Sequence, residues 1–219
     1  MKRSYEPELM DDFSIRDERV DSALKELRVI NRFLGGISTT KSALNFFLNS
    51  DNNELSIIDI GSGSSDNLIA AKKSIPSLKI IAVDKNIRSL NSISNTIKKI
   101  NSDAFLVPVK DKSCSIVHAS LFLHHFTNEE ILLLIKEFLR ISRKGIVIND
   151  LRRSFPALIG IKILTTIFSK SELVKNDAPL SVRRGFKKRE LIKLLAHSNI
   201  SDYIIKRKWA FRWMVVIKK

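Results

Sequence analysis

The chain has 219 residues, a formal net charge of +15, 44% hydrophobic residues and a single cysteine. A chain of this length buries a substantial core without metal or disulfide support, and the lone Cys114 excludes an internal bridge. The first residues lack the basic, apolar and small-residue layout of a signal peptide. The longest nearly apolar stretch, 155–168, falls short of the roughly 20 residues needed to cross a bilayer, so a reducing, cytoplasmic setting is expected.

In chain order, Leu24, Leu27, Ile30, Phe33 and Leu34 recur at helical spacing and stop at Gly35 and Gly36, which suits a helix ended by a left-handed cap. A second helix is expected over 40–48, then a polar turn at 49–53 and a strand at 55–60. The period then alternates: helix 66–74 precedes strand 78–83, helix 86–100 precedes strand 104–107, strand 115–119 precedes helix 128–142, and strand 145–149 precedes an apolar helix over 155–168. Strands separated by helices predict an α/β fold with a parallel sheet covered on both faces. The closing stretches 200–205 and 210–217 read as a hairpin, with Trp209, Phe211 and Trp213 placing large rings on one strand face. No internal repeat, low-complexity tract or linker is evident.

Ligands of such sheets gather at the carboxyl ends of the strands. There the sequence places Gly61 and Gly63 after the first strand, Asp84 after the second, Asp103 and Ala104 near the third, Ser120 to His125 after the fourth, and Asn149 and Asp150 after the fifth. A glycine turn lets backbone approach a ligand and opens a helix whose free N–H groups face an anion. Asp84 lies 23 residues past Gly61, close to the spacing at which a carboxylate meets a ribose diol. Together they predict a nucleoside-cofactor pocket. A nicotinamide dinucleotide fits less well, because Asp66 stands where its glycine motif needs a third glycine.

The order Asp59-x-Gly61-x-Gly63, Asp84, Asp103-Ala104, the segment 107–113 and Leu123-His124-His125 resembles the class I S-adenosylmethionine-dependent methyltransferases of the UbiE-like, methyltransferase-domain group, over approximately residues 40–150. Outside that core, segments 10–12, 30–36, 149–154 and 177–184 resemble bacterial methyltransferases associated with type III polyketide synthases. The resemblance implies a Rossmann-like, mostly parallel seven-stranded sheet with helices on both faces and a C-terminal antiparallel hairpin. It also implies a helical cap or substrate lid at 1–50 and a core at 51–219 with a lid insertion at about 151–190, in one structural domain. S-adenosylmethionine is the implied cofactor. Gly61 and Gly63 would line its methionine portion, Asp59 would hold the ammonium or order the loop, and Asp84 would take both ribose hydroxyls. Asp103 would accept from the adenine amine beside the Ala104 N–H, with Ser62, Lys85 and Ser120 completing the donor site. Two departures stand out: Ser65 replaces the third glycine of the loop, and Cys114-Ser115 replaces a Phe-Asp pair.

On the acceptor side, His124 or His125 is the expected base, because imidazole changes charge near operating pH. Asn149 and Asp150 are alternatives for orienting the acceptor, and Arg152, Arg153, Arg183 and Arg184 are candidates to grip an acidic or phenolate substrate through forked hydrogen bonds. No metal is expected: adjacent histidines usually diverge, and no zinc-type ligand spacing exists. The 155–168 helix reads either as buried or as a lid whose face lines an acyl-chain tunnel or rests on a membrane. From Arg152 onward there are 17 Lys and Arg against 4 Asp and Glu, a basic end that solvates or meets nucleic acid or anionic lipid. The leading expectation is methyl transfer to an oxygen, less readily a carbon, of an aromatic or polyketide-derived, lipophilic small molecule. No stable nucleic-acid complex is expected, peripheral contact with the inner membrane face is open, and the oligomeric state is unspecified. RNA methylation and a cofactor-binding homologue without chemistry are the alternatives.

Overall fold

A computed structural model describes residues 1–11, 18–48 and 54–219. The polar turn expected at 49–53, and Asp12, lie outside the described residues. Two helices, α1 (Glu18–Phe33) and α2 (Gly36–Leu44), precede the first strand, β1 (Ser56–Ile60). They meet at Gly35, whose φ of 77° is the left-handed cap anticipated there. The second helix starts at Gly36 rather than residue 40, since that same residue launches it. Then follow α3 (Asp66–Lys72), β2 (Lys79–Asp84), α4 (Ile87–Asn91), β3 (Lys98–Asn101), β4 (Cys114–Ser120), α5 (Asn128–Ile141) and β5 (Ser142–Leu151). The chain closes with α6 (Phe155–Phe168), α7 (Glu172–Arg184), α8 (Lys188–His197), β6 (Tyr203–Lys208) and β7 (Arg212–Lys218).

The seven strands form one sheet in the order β3-β2-β1-β4-β5-β7-β6. The pairs from β3 to β5 are parallel, whereas β7 runs antiparallel to both β5 and β6. Alternation along each strand splits the core in two. Ile58 and Ile60 of β1 and Trp213, Val215 and Ile217 of β7 pack with Leu134 and Phe138 of α5 and Leu191 and Leu195 of α8. Ile57, Met214 and Val216 pack on the other face with Leu44 of α2, Leu68 of α3 and Leu90 of α4. A third cluster joins Ala23 of α1, Ala157 and Ile161 of α6, and Val174, Ala178 and Val182 of α7.

Two expectations change at the third strand. The helix anticipated over 86–100 ends at Asn91, where Ser92 caps it and only Ile93 of the next five residues is buried; the strand is 98–101, not 104–107. Residues 104–107 instead form a bend, pinned where Asp103 Oδ1 accepts from Phe105 N at 3.0 Å and Glu137 accepts from Val107 N at 2.9 Å. The aromatic alternation after 208 also breaks. Ala210 and Phe211 turn with φ near 55° and 57°, so Trp209 is 75% exposed while Trp213 is buried and donates to Phe186 O.

Gly145 of β5 holds φ of 150°, and a Cβ there would sit 2.0 Å from Ile217 O of the neighbouring strand. Gly145→Ala is expected to push β7 away and cost roughly 1–3 kcal/mol, read as a lower denaturant midpoint with an unchanged slope.

Candidate active site

A cavity of about 1550 Å³ opens at the carboxyl ends of β1, β2 and β4, beneath α1, α6 and α7. Its donor side is the turn after β1. Gly61, Gly63 and Ser65 have φ of 61°, 51° and 53°, and the turn is closed by Ser62 N to Val83 O at 3.1 Å and Ser65 N to Ser62 O at 2.7 Å. A Cβ at Gly61 would lie 2.0 Å from the Phe122 ring, so only glycine fits there. Gly63 has no heavy atom near its missing Cβ and faces open space. Its N–H donates to Asp84 Oδ2 at 2.8 Å, while Asp84 Oδ1 accepts from Asn86 N at 2.8 Å. The expected ribose carboxylate and the glycine turn therefore adjoin. Burial raises the Asp84 carboxyl above its ordinary range, against the pull of those backbone N–H bonds.

Asp59 lines the cavity with both oxygens bonded within the protein. Its Oδ2 accepts from Ser65 Oγ at 2.6 Å and its Oδ1 from His118 Nδ1 at 2.7 Å. The substituted third glycine thus becomes a hydroxyl that ties the loop to the strand. His118 Nε2 faces Thr40 Oγ1 at 3.1 Å, and that hydroxyl also accepts from Asn149 Nδ2 at 3.1 Å. Asn149 Oδ1 accepts from Arg212, whose guanidinium also reaches Leu34 O and Asn31 Oδ1. Burial lowers the Arg212 pKa to about 10. Asn149 is fully buried in this chain of bonds and is not on the cavity wall, which corrects its expected role toward the acceptor.

Asp103 and Lys85 both line the cavity and pair with each other at 3.2 Å. The Phe105 N–H bond holds the Asp103 carboxyl below its usual range. Ser120 Oγ accepts from Asn67 Nδ2 at 2.9 Å, and Ala104 and Ser62 lie on the same wall. Ser62 Oγ is buried without a protein partner. An adenosine-bearing sulfonium fits these residues: the turn offers a free hydroxyl, open space at Gly63, and carboxylates for a doubly cationic ligand.

After β4, Leu121 takes φ of 52° and a 3-10 turn at Leu123–His125 presents both histidines. His124 Nδ1 donates to Asp150 Oδ1 at 2.6 Å, leaving Nε2 3.7 Å from Glu8 Oε1. His125 Nδ1 lies 2.9 Å from Asp11 Oδ1. The rings do not diverge as anticipated: their centroids are 4.3 Å apart at 32°, and ligating atoms of Glu8, His124 and His125 fall within 4.8 Å of one another. Burial pushes Asp150 up, yet the His124 charge and hydrogen bond outweigh it and hold the carboxyl below its ordinary value. Burial leaves Glu8 raised.

Glu8 and Asp11 arrive on an N-terminal strap that sequence patterning does not reveal, because its anchors are distant. Asp177 of α7 accepts from Leu9 N and Met10 N at 2.9 Å each, and Ser181 donates to Glu8 at 2.8 Å. None of the four arginines expected to hold substrate is on the cavity wall. Arg184 reaches Asp11 at 3.2 Å and donates to the carbonyls of His124 and His125. Arg153 is buried against Gly185 O and Glu190, Arg183 pairs with Glu6, and Arg152 lies over the Phe211 ring. The forks of Arg153, Arg183 and Arg184 thus close on the protein itself, whereas Arg152 Nε is buried without a hydrogen-bond partner among the described residues. The remaining wall is mixed: Leu27, Ile30, Leu34, Ile161, Leu164 and Phe211 give it a large apolar part, and Arg28, Arg32 and Lys41 are among its charged residues.

Residues 58–148 match the family model described as "Methyltransferase domain". That match, over 91 of the 219 residues, supports a methyltransferase. The cofactor of this domain is S-adenosylmethionine, in keeping with the cavity and with S-adenosylhomocysteine bound in solved relatives. The fold is similar to an S-adenosylmethionine-dependent methyltransferase from Aquifex aeolicus (TM-score 0.65, 14% identity, 93% of this chain and 99% of that one). It is also similar to the plantazolicin methyltransferase BpumL bound to S-adenosylhomocysteine (0.72, 14%, 96% and 93%). Magnesium protoporphyrin IX methyltransferase from Synechocystis PCC 6803 is a third such structure (0.58, 12%, 85% and 84%). No curated protein matches by sequence. Among the described residues no helix is long and apolar enough to cross a membrane.

Asp84→Asn is expected to weaken binding of S-adenosylhomocysteine roughly ten- to hundredfold, the worth of hydrogen bonds to a charged group. In the unsubstituted protein the raised Asp84 carboxyl takes its proton at a higher pH than an ordinary aspartate. Affinity measured by calorimetry should therefore start to fall above the usual carboxylate range on acidification, and the asparagine variant should lose that dependence.

Proposed function

We propose that the protein methylates an oxygen of a small, lipophilic aromatic or polyketide-derived acceptor. The observation that carries this reading is the buried Asp150–His124 pair, whose His124 lies on the wall of a largely apolar cavity while Asp150 sits behind it. When bound, S-adenosylmethionine supplies an electrophilic methyl on a sulfonium, and transfer is an in-line displacement that needs positioning and a deprotonated nucleophile. Asp84 and Gly63 hold the ribose side, Asp103 and Ala104 the adenine side, and Gly61 leaves room beside Phe122. His124 takes the acceptor's proton at Nε2, because Nδ1 is committed to Asp150, and the carboxylate then stabilises the imidazolium that forms. The strap bearing Glu8 and Asp11 and the apolar walls keep water from the acceptor oxygen.

An oxygen acceptor is favoured because a phenol or enol needs such a base. Similarity in fold to a plantazolicin methyltransferase and to a magnesium protoporphyrin IX methyltransferase supports a non-polymeric acceptor. Likeness to the UbiE-like group and to polyketide-associated enzymes, together with the apolar chamber, supports a lipophilic acceptor.

His124→Ala is expected to lower kcat by roughly 10² to 10⁴ while leaving donor affinity unchanged, and Asp150→Asn to lower it with a shifted pH profile. The acceptor class is tested by incubating the protein with labelled methyl donor and fractionated host extract. Label should enter organic-soluble metabolites; label confined to RNA overturns the reading.

A further inference from the structure

Helix α6 is apolar on two sides. Ala157, Gly160, Ile161 and Leu164 line the cavity. Facing away from the core, Phe155, Ile159, Ile163, Ile167 and the terminal Phe168 are between 56% and 77% exposed. At about 100° per residue, residues 155, 159, 163 and 167 fall on one stripe, with Gly160 just beyond its edge. The outer ridge thus borders the lip of the chamber. Scattered exposed apolar side chains are ordinary on a protein surface, but a row of this kind marks a contact.

The other edge of the stripe is basic. Lys162 opens onto a second cleft of about 410 Å³, lined also by Lys175 and Arg183, with Glu6 as the acid on that lining. Glu172 pairs with Lys175 and Glu6 with Arg183, while Lys162 makes no ion pair among the described residues. Lys170 follows the end of the helix. A two-fold self-contact through α6 would place the same lysine edges of two copies near each other, because an isologous interface repeats one patch. A surface of acyl chains beneath anionic headgroups meets both the ridge and its cationic border.

We propose that α6 is an interfacial membrane helix: its outer ridge lies among the acyl chains of a bilayer bearing anionic lipids, and Lys162, Lys170, Lys175 and Arg183 face the headgroup phosphates. The lip at Gly160 then opens toward the lipid, so an apolar acceptor passes from bilayer to chamber along one helix. The delivery role rests on the proposed acceptor class; the bilayer contact does not.

The test is flotation of the full chain with vesicles of equal parts phosphatidylglycerol and phosphatidylcholine, against phosphatidylcholine alone. The chain should float with the anionic vesicles, less so in high salt. Ile159→Asp with Ile163→Asp should reduce the bound fraction about tenfold or more, since binding scales with buried apolar area. Lys162→Glu with Lys170→Glu should reduce it at low salt only. Unchanged melting and S-adenosylhomocysteine affinity show that each variant is folded, and Ile163→Ser with Ile167→Ser serves if the aspartates disturb folding. Failure of the unsubstituted chain to float overturns the proposal, as does light scattering that shows a dimer split by the ridge variants. Loss of flotation with methylation of organic-soluble acceptors retained removes the bilayer and leaves the activity; flotation with label entering RNA alone does the reverse.

Discussion

Asp59 is a carboxylate shut away from water at the end of β1, and both of its oxygens are bonded. An unpaired buried charge costs several kcal/mol, so the partners of Asp59 are obliged to stay. Through His118 and Thr40 the obligation passes to Asn149 of β5, and through Asn149 to Arg212 of β7. One continuous run of hydrogen bonds therefore links the cofactor loop, helix α2 and the antiparallel edge of the sheet. Ser65, at φ of 53° where an L residue is strained, is held in place by the same carboxylate. The loop keeps its shape with two glycines because a hydroxyl does the restraining that backbone freedom does elsewhere.

The acceptor side is built on an opposite use of carboxylates. Asp150 sits behind His124 and is kept ionised by it, whereas Glu8 sits before the other ring nitrogen and is raised by burial. Two acids on either side of one imidazole are thus driven apart in proton affinity by their surroundings, which is how neighbouring groups come to hold different roles. Asp150 meets Nδ1 behind the ring, and Glu8 faces Nε2 from the cavity wall.

The parallel strands were legible because a strand buried on both faces is a run of Ile and Val bounded by turn residues, as at 57–60 and 80–83. Asp84 and the glycine turn were legible for the same reason: their spacing follows from one strand-helix-strand unit. The third strand was not, since Lys98 to Asn101 carries two lysines and pairs on one side only. His118 passed unremarked inside a hydrophobic strand, and nothing local announces its bond to Asp59. Arg153 and Arg184 read as free forks, because a sequence does not show which carbonyls will fill them. Glu8 and Asp11 lie more than a hundred residues from the histidines they face, beyond the reach of any periodicity.

Arg184 grips the strap through Asp11 and, with its other nitrogens, the carbonyls of both histidines. Arg3, on the strap itself, bonds Phe126 O and Arg184 O beside that turn. The Arg184 guanidinium thus anchors both the N-terminal segment and the backbone that carries the imidazoles, so its removal would loosen the two together.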